Sequence, residues 1–506
     1  MTHSRAQTKL KVVSLSLIII VILVLTIFFA GRGGNTFFSS LLTNTSNNVG
    51  WFYIFVLNFV FFFAIVLAFG RFRNIRIGGK NAKPEFSRSS WLAMLFSAGV
   101  GIGLLFYGVA EPVLHYHDNP FSMDGSIESA NTAMSITFIH WGIHAWSLYT
   151  IVALALAFFA YNMNLPLTMR SVFYPLLKDR IYGWIGNLID VFAIVATIFG
   201  LSASLGLGAK QIGSGMEYVF GLPSSTFLYI VLIVIITGLA IMSLLLGLKK
   251  GIKILSEINM AMAIILLLFI FIAGPTVYLF KAFFQNVGNY LFDFFKLSLW
   301  NNAYSGIKEG EAWQDKWTIF YYSWWIAWTP FVGIFIARIS KGRTLKEFIL
   351  AVILVPSTFT FLWFTVFGSS SIYHEILGDN SIYMATKTDV SLAIFKFLEK
   401  YPITFISSIF TMLLIASFFV TSSDSGTYVV DTLASNGKHN SHALVKIFWA
   451  SLEGFIAAFI LVIGGLNALR VSTVMSSVPF SIIVILLCFS LYKALRQYKR
   501  AEKASK

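Results

Sequence analysis

The chain has 506 residues, of which 57% are hydrophobic and 12% charged, with a mean hydropathy of +0.78; this excludes a soluble globule and describes a polytopic membrane protein. Its net charge of +15 punctuates apolar runs and does not gather on a soluble domain, so it reads as membrane topology and not as a nucleic-acid footprint. The single cysteine, Cys488, excludes a disulfide within the chain and argues against a cysteine-ligated metal site.

Twelve apolar runs are long enough to span a bilayer: 12–30, 51–69, 91–107, 132–160, 184–205, 225–248, 255–279, 318–339, 348–367, 403–420, 448–466 and 474–492. The first follows basic residues but lacks a small-residue cleavage site, so it is read as a retained span and not a signal peptide. With both termini inside, Arg5, Lys9 and Lys11, the stretch from Arg71 to Arg88, Lys249 to Lys253, Arg338 to Lys346 and the C-terminal tail fall on the cytoplasmic side. That places roughly 27 of the 37 basic residues inside, a strong positive-inside bias. The expected layout is a tail at 1–11, a membrane domain at 12–492 and a short basic tail at 493–506, with no soluble module. Of the segments left outside, 289–301 alternates aromatic and polar residues and is expected to lie as an amphipathic surface helix.

The third run reads F-S-A-G-V-G-I-G-L-L-F-Y-G-V-A-E-P from Phe96 to Pro112. Gly99, Gly101, Gly103 and Gly108 permit unwound backbone and close approach of a ligand, or tight helix packing through small residues. Unwound backbone at membrane depth is tolerated only where it is buried in protein or lines a cavity. The fourth run carries H-W-G-I-H-A-W-S-L-Y, in which Trp141, Trp146 and Tyr149 fall on one face of a helix. The eighth run carries Tyr321, Trp324, Trp325, Trp328 and Phe331 within about a third of the helix circumference, followed by Pro330 and Gly333, which are expected to interrupt it. Two facing aromatic stripes are the walls of a box for a cation without hydrogen-bond donors, such as a quaternary ammonium; ordinary aromatic packing is the alternative. Breaks in the third and eighth runs, five helices apart, point to an inverted-repeat secondary transporter.

The tenth run ends F-F-V-T-S-S-D-S-G, where Thr421, Ser422 and Ser423 offer hard oxygen ligands for Na⁺ or bond back to their own helix. Thr197 in the fifth run is a further hydroxyl of this kind. Glu111, Asp424, His140 and His144 are ionisable groups at or near membrane depth, candidates by that fact alone. Glu111 and Asp424 are read as structural or gating groups, and the two histidines as hydrogen-bonded core residues. His140 and His144 have metal-ligand spacing, but no third ligand is evident.

These stretches together resemble the betaine/choline/carnitine transporters over nearly the whole chain. The resemblance is carried by residues 90–112, 140–149, A-T-I-F-G-L-S-A-S-L-G-L-G at 196–208, W-W-I-A-W-T-P-F-V-G-I-F-I-A-R-I-S-K-G-R at 324–343, and 419–426. It implies an all-α membrane protein of 12 helices with a LeuT-like 5+5 inverted repeat, over about 91–283 and 318–492, behind two extra N-terminal helices. It implies a homotrimer. It implies a trimethylammonium held by Trp141, Trp146, Tyr149, Trp324, Trp325 and Trp328 beside Gly101 and Gly103. It also implies two sodium sites, one from Ser97, Val100, Phe418, Thr421 and Ser422, the other from Thr197 and the region of Phe331.

The chain departs from the family pattern at two positions. Val100 stands where Met is common, a change that a backbone-carbonyl ligand survives, and Leu201 stands where a second Thr is frequent. The intact glycines and hydroxyls favour Na⁺ coupling, and Gly103, where some choline carriers have Asp, leans towards zwitterionic glycine betaine. The expected function is Na⁺-coupled uptake of that solute across the bacterial cytoplasmic membrane by alternating access, for osmoprotection, with no cofactor beyond the coupling ion. Choline or carnitine transport, proton coupling and sodium-independent exchange are the alternatives within transport. A membrane enzyme would need a convergent catalytic set, which the sequence does not show, and a channel would need a continuous selectivity lining in place of a closed aromatic box.

Overall fold

Backbone amides inside a bilayer have no water to bond, so a chain of this composition satisfies them within helices. In the computed structural model every regular element among the described residues is helical, apart from one isolated antiparallel bridge between Arg76 and Thr344. The structure describes residues 2–31, 34–99, 101–247, 251, 253–304, 313–437 and 441–504, without the side chains of 2–10, 30–31, 34–39, 42, 93, 96–99 and 253. Among these, ten helices are long and apolar enough to cross a membrane, and the chain is a multi-pass membrane protein.

The helices are α1 (Thr2–Gly31), α2 (Gly34–Phe69), α3 (Arg88–Gly99), α4 (Ile102–Tyr107), α5 (Ala110–His117), α6 (Ile127–Trp141), α7 (Ile143–Tyr161) and α8 (Trp184–Phe220). They continue as α9 (Thr226–Leu246), α10 (Lys253–Ala273), α11 (Thr276–Ser298), α12 (Phe320–Ile339), α13 (Leu345–Phe364), α14 (Ser370–Ile376), α15 (Thr404–Ala434) and α16 (Ala443–Ala504), with shorter helical turns in the loops. Two features separate the ten long helices from the twelve expected runs. The glycine-rich third run is divided among α3, α4 and α5, with Gly101 extended at φ −126° and ψ −159°. The last two runs form one 62-residue element, bent at Gly464 and at Gly465, whose φ of 57° suits glycine and few other residues.

The expected break in the eighth run is corrected, and two further differences follow. Pro330 and Gly333 do not interrupt the eighth run: α12 passes through both. A single proline removes one backbone donor, and a helix packed on all sides by α7, α8, α15 and α16 holds its course regardless. Gly333 serves contact, since a Cβ there would lie 3.0 Å from Val152 Cγ1 of α7. The irregular turn lies upstream, as a π-helical turn at Asp315–Ile319, so the two halves are not broken alike. The fourth run is broken instead, at Gly142 (φ −99°, ψ −133°), which puts Trp141 on α6 and Trp146 and Tyr149 on α7. The amphipathic segment expected at 289–301 is the end of a longer helix, α11, with Phe284 and Phe292 on its exposed face and Tyr290 and Phe294 buried.

Three basic segments meet at one end of the molecule. The backbone amides of Ile77 and Leu345 donate to the carbonyls of Arg343 and Ile75 at 2.9 Å each, and Arg71 donates to the Tyr492 hydroxyl at 2.8 Å.

Candidate aromatic box and cation site

Helix α12 brings its rings into one continuous column. Trp324 and Trp325 lie nearly parallel with centroids 5.4 Å apart, Tyr321 stands 6.2 Å from Trp325, Trp328 stands 6.1 Å from Trp324, and Phe331 follows Trp328 at 5.6 Å. Because the helix is unbroken, the stripe read from the sequence survives intact. Trp141, at the end of α6, stands edge-on to Trp325 at 5.0 Å and to Trp324 at 6.2 Å. Tyr149 meets Trp325 at 6.2 Å from α7. Trp146 is not brought to this wall: its one ring contact among the described residues is Tyr149, at 5.6 Å. Tyr107 of α4, which the sequence reading did not single out, joins with its centroid 6.3 Å from Trp324.

Gly103 explains why a glycine is needed in the broken run. A Cβ there would overlap Trp141 Cη2 and lie 3.1 Å from Trp324 Cη2, so both indoles rest against its backbone. The box is closed in this structure, with Trp141, Trp324 and Trp325 each 5% exposed or less. A ligand enters only when these rings part. Of the four indoles, three have their N–H engaged: Trp141 on Glu111 Oε2 (2.6 Å), Trp325 on the His140 carbonyl (2.8 Å) and Trp328 on the Gly200 carbonyl (3.1 Å). The fourth, Trp324 Nε1, is buried and has no hydrogen-bond partner among the described residues.

The wall hangs from one carboxylate. Glu111 on α5 is fully buried; its Oε2 accepts from Trp141 Nε1 and the Tyr321 hydroxyl at 2.6 Å each, and its Oε1 meets His140 Nδ1 at 2.6 Å. Three separate helices are tied through it. His144 belongs elsewhere, with its Nε2 3.2 Å from Asn58 Oδ1 of α2. Arg470 of α16 donates to the Tyr107 hydroxyl at 3.2 Å and lies over Phe320 at 5.2 Å, with no carboxylate in ion-pair range among the described residues. An arginine inside an apolar run was the signal for it.

The hydroxyl groups lie next to the box. A Cβ on Gly101 would fall 2.9 Å from Trp328 Cη2 and 3.5 Å from Ser422 Oγ, so the extended backbone at Gly101 separates the tryptophans from Ser422 on α15. Thr421 is partly committed: it donates to the Ser417 carbonyl at 2.9 Å and accepts from Asn259 of α10 at 2.7 Å. Asn259, a lone amide in an apolar run, escaped the sequence reading. Phe418, one turn earlier on α15, is buried. Thr197 Oγ1 on α8 is buried without a hydrogen-bond partner among the described residues, one turn from the Gly200 carbonyl that Trp328 holds. Leu201 fills the space over Gly426 of α15. The Ser97 side chain and all of Val100 lie outside the described residues.

A family model for the betaine/carnitine/choline transporters matches residues 11–500. The chain belongs to this family. As a family member it is a transporter, and the family's members are not enzymes. Among its curated relatives, a glycine betaine transporter of Acinetobacter baylyi is 43% identical over 89% of this chain and 68% of its own length. A glycine betaine transporter of Bacillus subtilis is 41% identical over 91% of this chain and 90% of its own length. A glycine betaine/proline/choline transporter of Vibrio parahaemolyticus is 41% identical over 92% of this chain and 86% of its own.

Proposed function

We propose that the protein imports a zwitterionic quaternary ammonium solute, glycine betaine first among them, by Na⁺ symport with alternating access, for osmoprotection in a bacterial cytoplasmic membrane. Both termini face the cytoplasm in this reading, the membrane domain spans 12–492 with twelve helices, ten of them in a LeuT-like 5+5 repeat behind two additional ones, and the working unit is a homotrimer. The observation that carries the substrate class is the pairing of an indole box with one buried, unused donor. Trp324, Trp325 and Trp141 offer aromatic rings to a trimethylammonium, and Trp324 Nε1, without a hydrogen-bond partner among the described residues, can donate to a carboxylate. Arg470, without an acidic partner among the described residues, adds positive charge beside Tyr107 and Phe320. That charge attracts the carboxylate of a betaine and repels choline, which is a net cation. The names of the relatives agree with this class.

For the coupling ion, Thr421 and Ser422 on α15 are the side-chain oxygens of one Na⁺ site, and Thr197 on α8, without a hydrogen-bond partner among the described residues, that of a second near Phe331; hydroxyl oxygens fit Na⁺, a hard cation. When bound, Na⁺ supplies charge that fixes the extended backbone at Gly101 against α15. A Cβ on Gly101 would meet both Trp328 and Ser422, so the segment lies between the box and α15, and ordering it orders the box. The test is uptake of labelled glycine betaine, choline and carnitine into proteoliposomes, with a Na⁺ gradient and with K⁺ in its place. Betaine uptake that needs Na⁺ is expected. Preferred uptake of choline overturns the substrate assignment, and full uptake in K⁺ overturns the coupling.

A further inference from the structure

The sequence offers no third metal ligand for the pair His140 and His144, but the fold supplies two others for His140. Glu111 and His115 lie four residues apart on α5, on the face turned to His140 of α6. Glu111 Oε1 stands 2.6 Å from His140 Nδ1 and 3.4 Å from His115 Nε2, and the three ligand atoms lie within 4.8 Å of one another. All three side chains are 1% exposed or less.

The pattern of hydrogen bonds leaves these atoms facing one another. His140 Nε2 lies 3.0 Å from Thr318 Oγ1, the outer contact that fixes a ring whose other nitrogen is a ligand. Glu111 Oε2 is taken by Trp141 and Tyr321, which leaves Oε1 as a monodentate donor. Among the described residues His115 has neither ring nitrogen in a well-formed hydrogen bond, its nearest polar contact being Glu111 Oε1 at 3.4 Å, although its ring is fully buried between Trp317 at 4.5 Å and Trp313 at 4.9 Å. A buried imidazole whose nitrogens lack good hydrogen bonds is costly. A proton between Glu111 and His140 satisfies that pair and leaves His115 with only the long 3.4 Å contact to Glu111 Oε1. A divalent cation satisfies all three, with two imidazoles and one carboxylate and an open position for water, a set that suits Zn²⁺ and its neighbours in the first transition row.

We propose that Glu111, His115 and His140 form a binding site for a first-row divalent metal ion, with Zn²⁺ the natural probe, behind the aromatic box. The site goes beyond transport of the organic solute and does not depend on its identity. It is linked to the box, because the same carboxylate that holds the metal through Oε1 orients Trp141 and Tyr321 through Oε2. A metal that draws on Glu111 alters the hold on these rings, and by reciprocity a ligand in the box alters metal affinity.

The experiment uses the purified full-length protein, stripped of metal with a chelator and dialysed against Zn²⁺. One ion per chain is expected, with affinity lowered more than about tenfold in His115→Gln. Co²⁺ in place of Zn²⁺ is expected to give visible d–d absorption bands in the parent that disappear in His115→Gln. This spectrum in the parent keeps the test decisive even if the variant folds poorly. Binding below one ion per chain, a parent without Co²⁺ bands, or a folded His115→Gln protein that binds like the parent each overturns the site.

Discussion

Glu111 and Glu453 are both fully buried carboxyl groups, and their surroundings differ in kind. Glu111 is ringed by an imidazole, an indole and a phenol, each within 2.6 Å, and every one of them comes from a helix that lines the aromatic box. Glu453, on α16, receives one hydroxyl, from Thr427 at 3.1 Å, and its Oε1 has no partner among the described residues. Asp424 nearby is held by Ser243 and Ser425, again hydroxyls. One region is therefore locked by strong donors around a charge. The other is a seam of α9, α15 and α16 joined by hydroxyl groups that can exchange partners at small cost. The carboxylate behind the box is held by strong donors, and the hydroxyl seam is held by weaker ones.

The sharpest break of this comparison is Glu111→Gln against Glu453→Gln. At Glu111 the amide places a donor among donors, and loss of a buried, hydrogen-bonded charge costs about 3–5 kcal/mol. At Glu453 an amide suits hydroxyl neighbours, and a change of about 1 kcal/mol or less is expected. Thermal unfolding in detergent reads both, and equal losses would remove the distinction. Next comes Gly103→Ala, whose methyl group presses on Trp141 and Trp324; overpacking of about 1–3 kcal/mol should appear as a raised KM for betaine, with normal membrane insertion. An unchanged KM would show that the wall yields easily.

Trp325→Leu keeps apolar volume but removes a ring face, so betaine affinity should fall by about 1–2 kcal/mol, measured as binding to the purified protein. Thr421→Ala with Ser422→Ala acts on the seam. The Na⁺ concentration for half-maximal uptake should rise roughly tenfold, while betaine affinity largely recovers at saturating Na⁺ because the two binding events are linked. Intact Na⁺ dependence in the double variant would take these hydroxyls out of the ion site.

The smallest effect lies outside the membrane-spanning segments, at His117. Partial burial works against its charge, but bonds to Glu375 (3.1 Å) and Asp124 (2.8 Å) prevail and raise its pKa above the ordinary 6.5. A raised value means that the stabilisation is complete below about pH 6.5 and is lost as pH climbs through the higher folded value. The difference in melting temperature between the parent and His117→Gln should shrink over that range. A difference that is constant with pH would assign the contact to packing on Tyr383, whose ring lies 3.9 Å away.

The sequence by itself determined the class of protein, because a hydrophobic fraction of 57% leaves no other solvent than lipid. It also determined the aromatic stripe of α12, the glycine break near Gly101 and the hydroxyl run at Thr421, since each depends on local spacing along one segment. Tertiary structure decided the rest. Whether Pro330 bends its helix depends on neighbours that sequence spacing does not show, and so does the break at Gly142. That Trp141 reaches the box and Trp146 does not follows from that break. The convergence of Glu111, His115 and His140, and the claim of Asn259 on Thr421, join residues up to 162 positions apart. No periodicity encodes such meetings, because they are set by how whole helices pack and not by the order of residues within one.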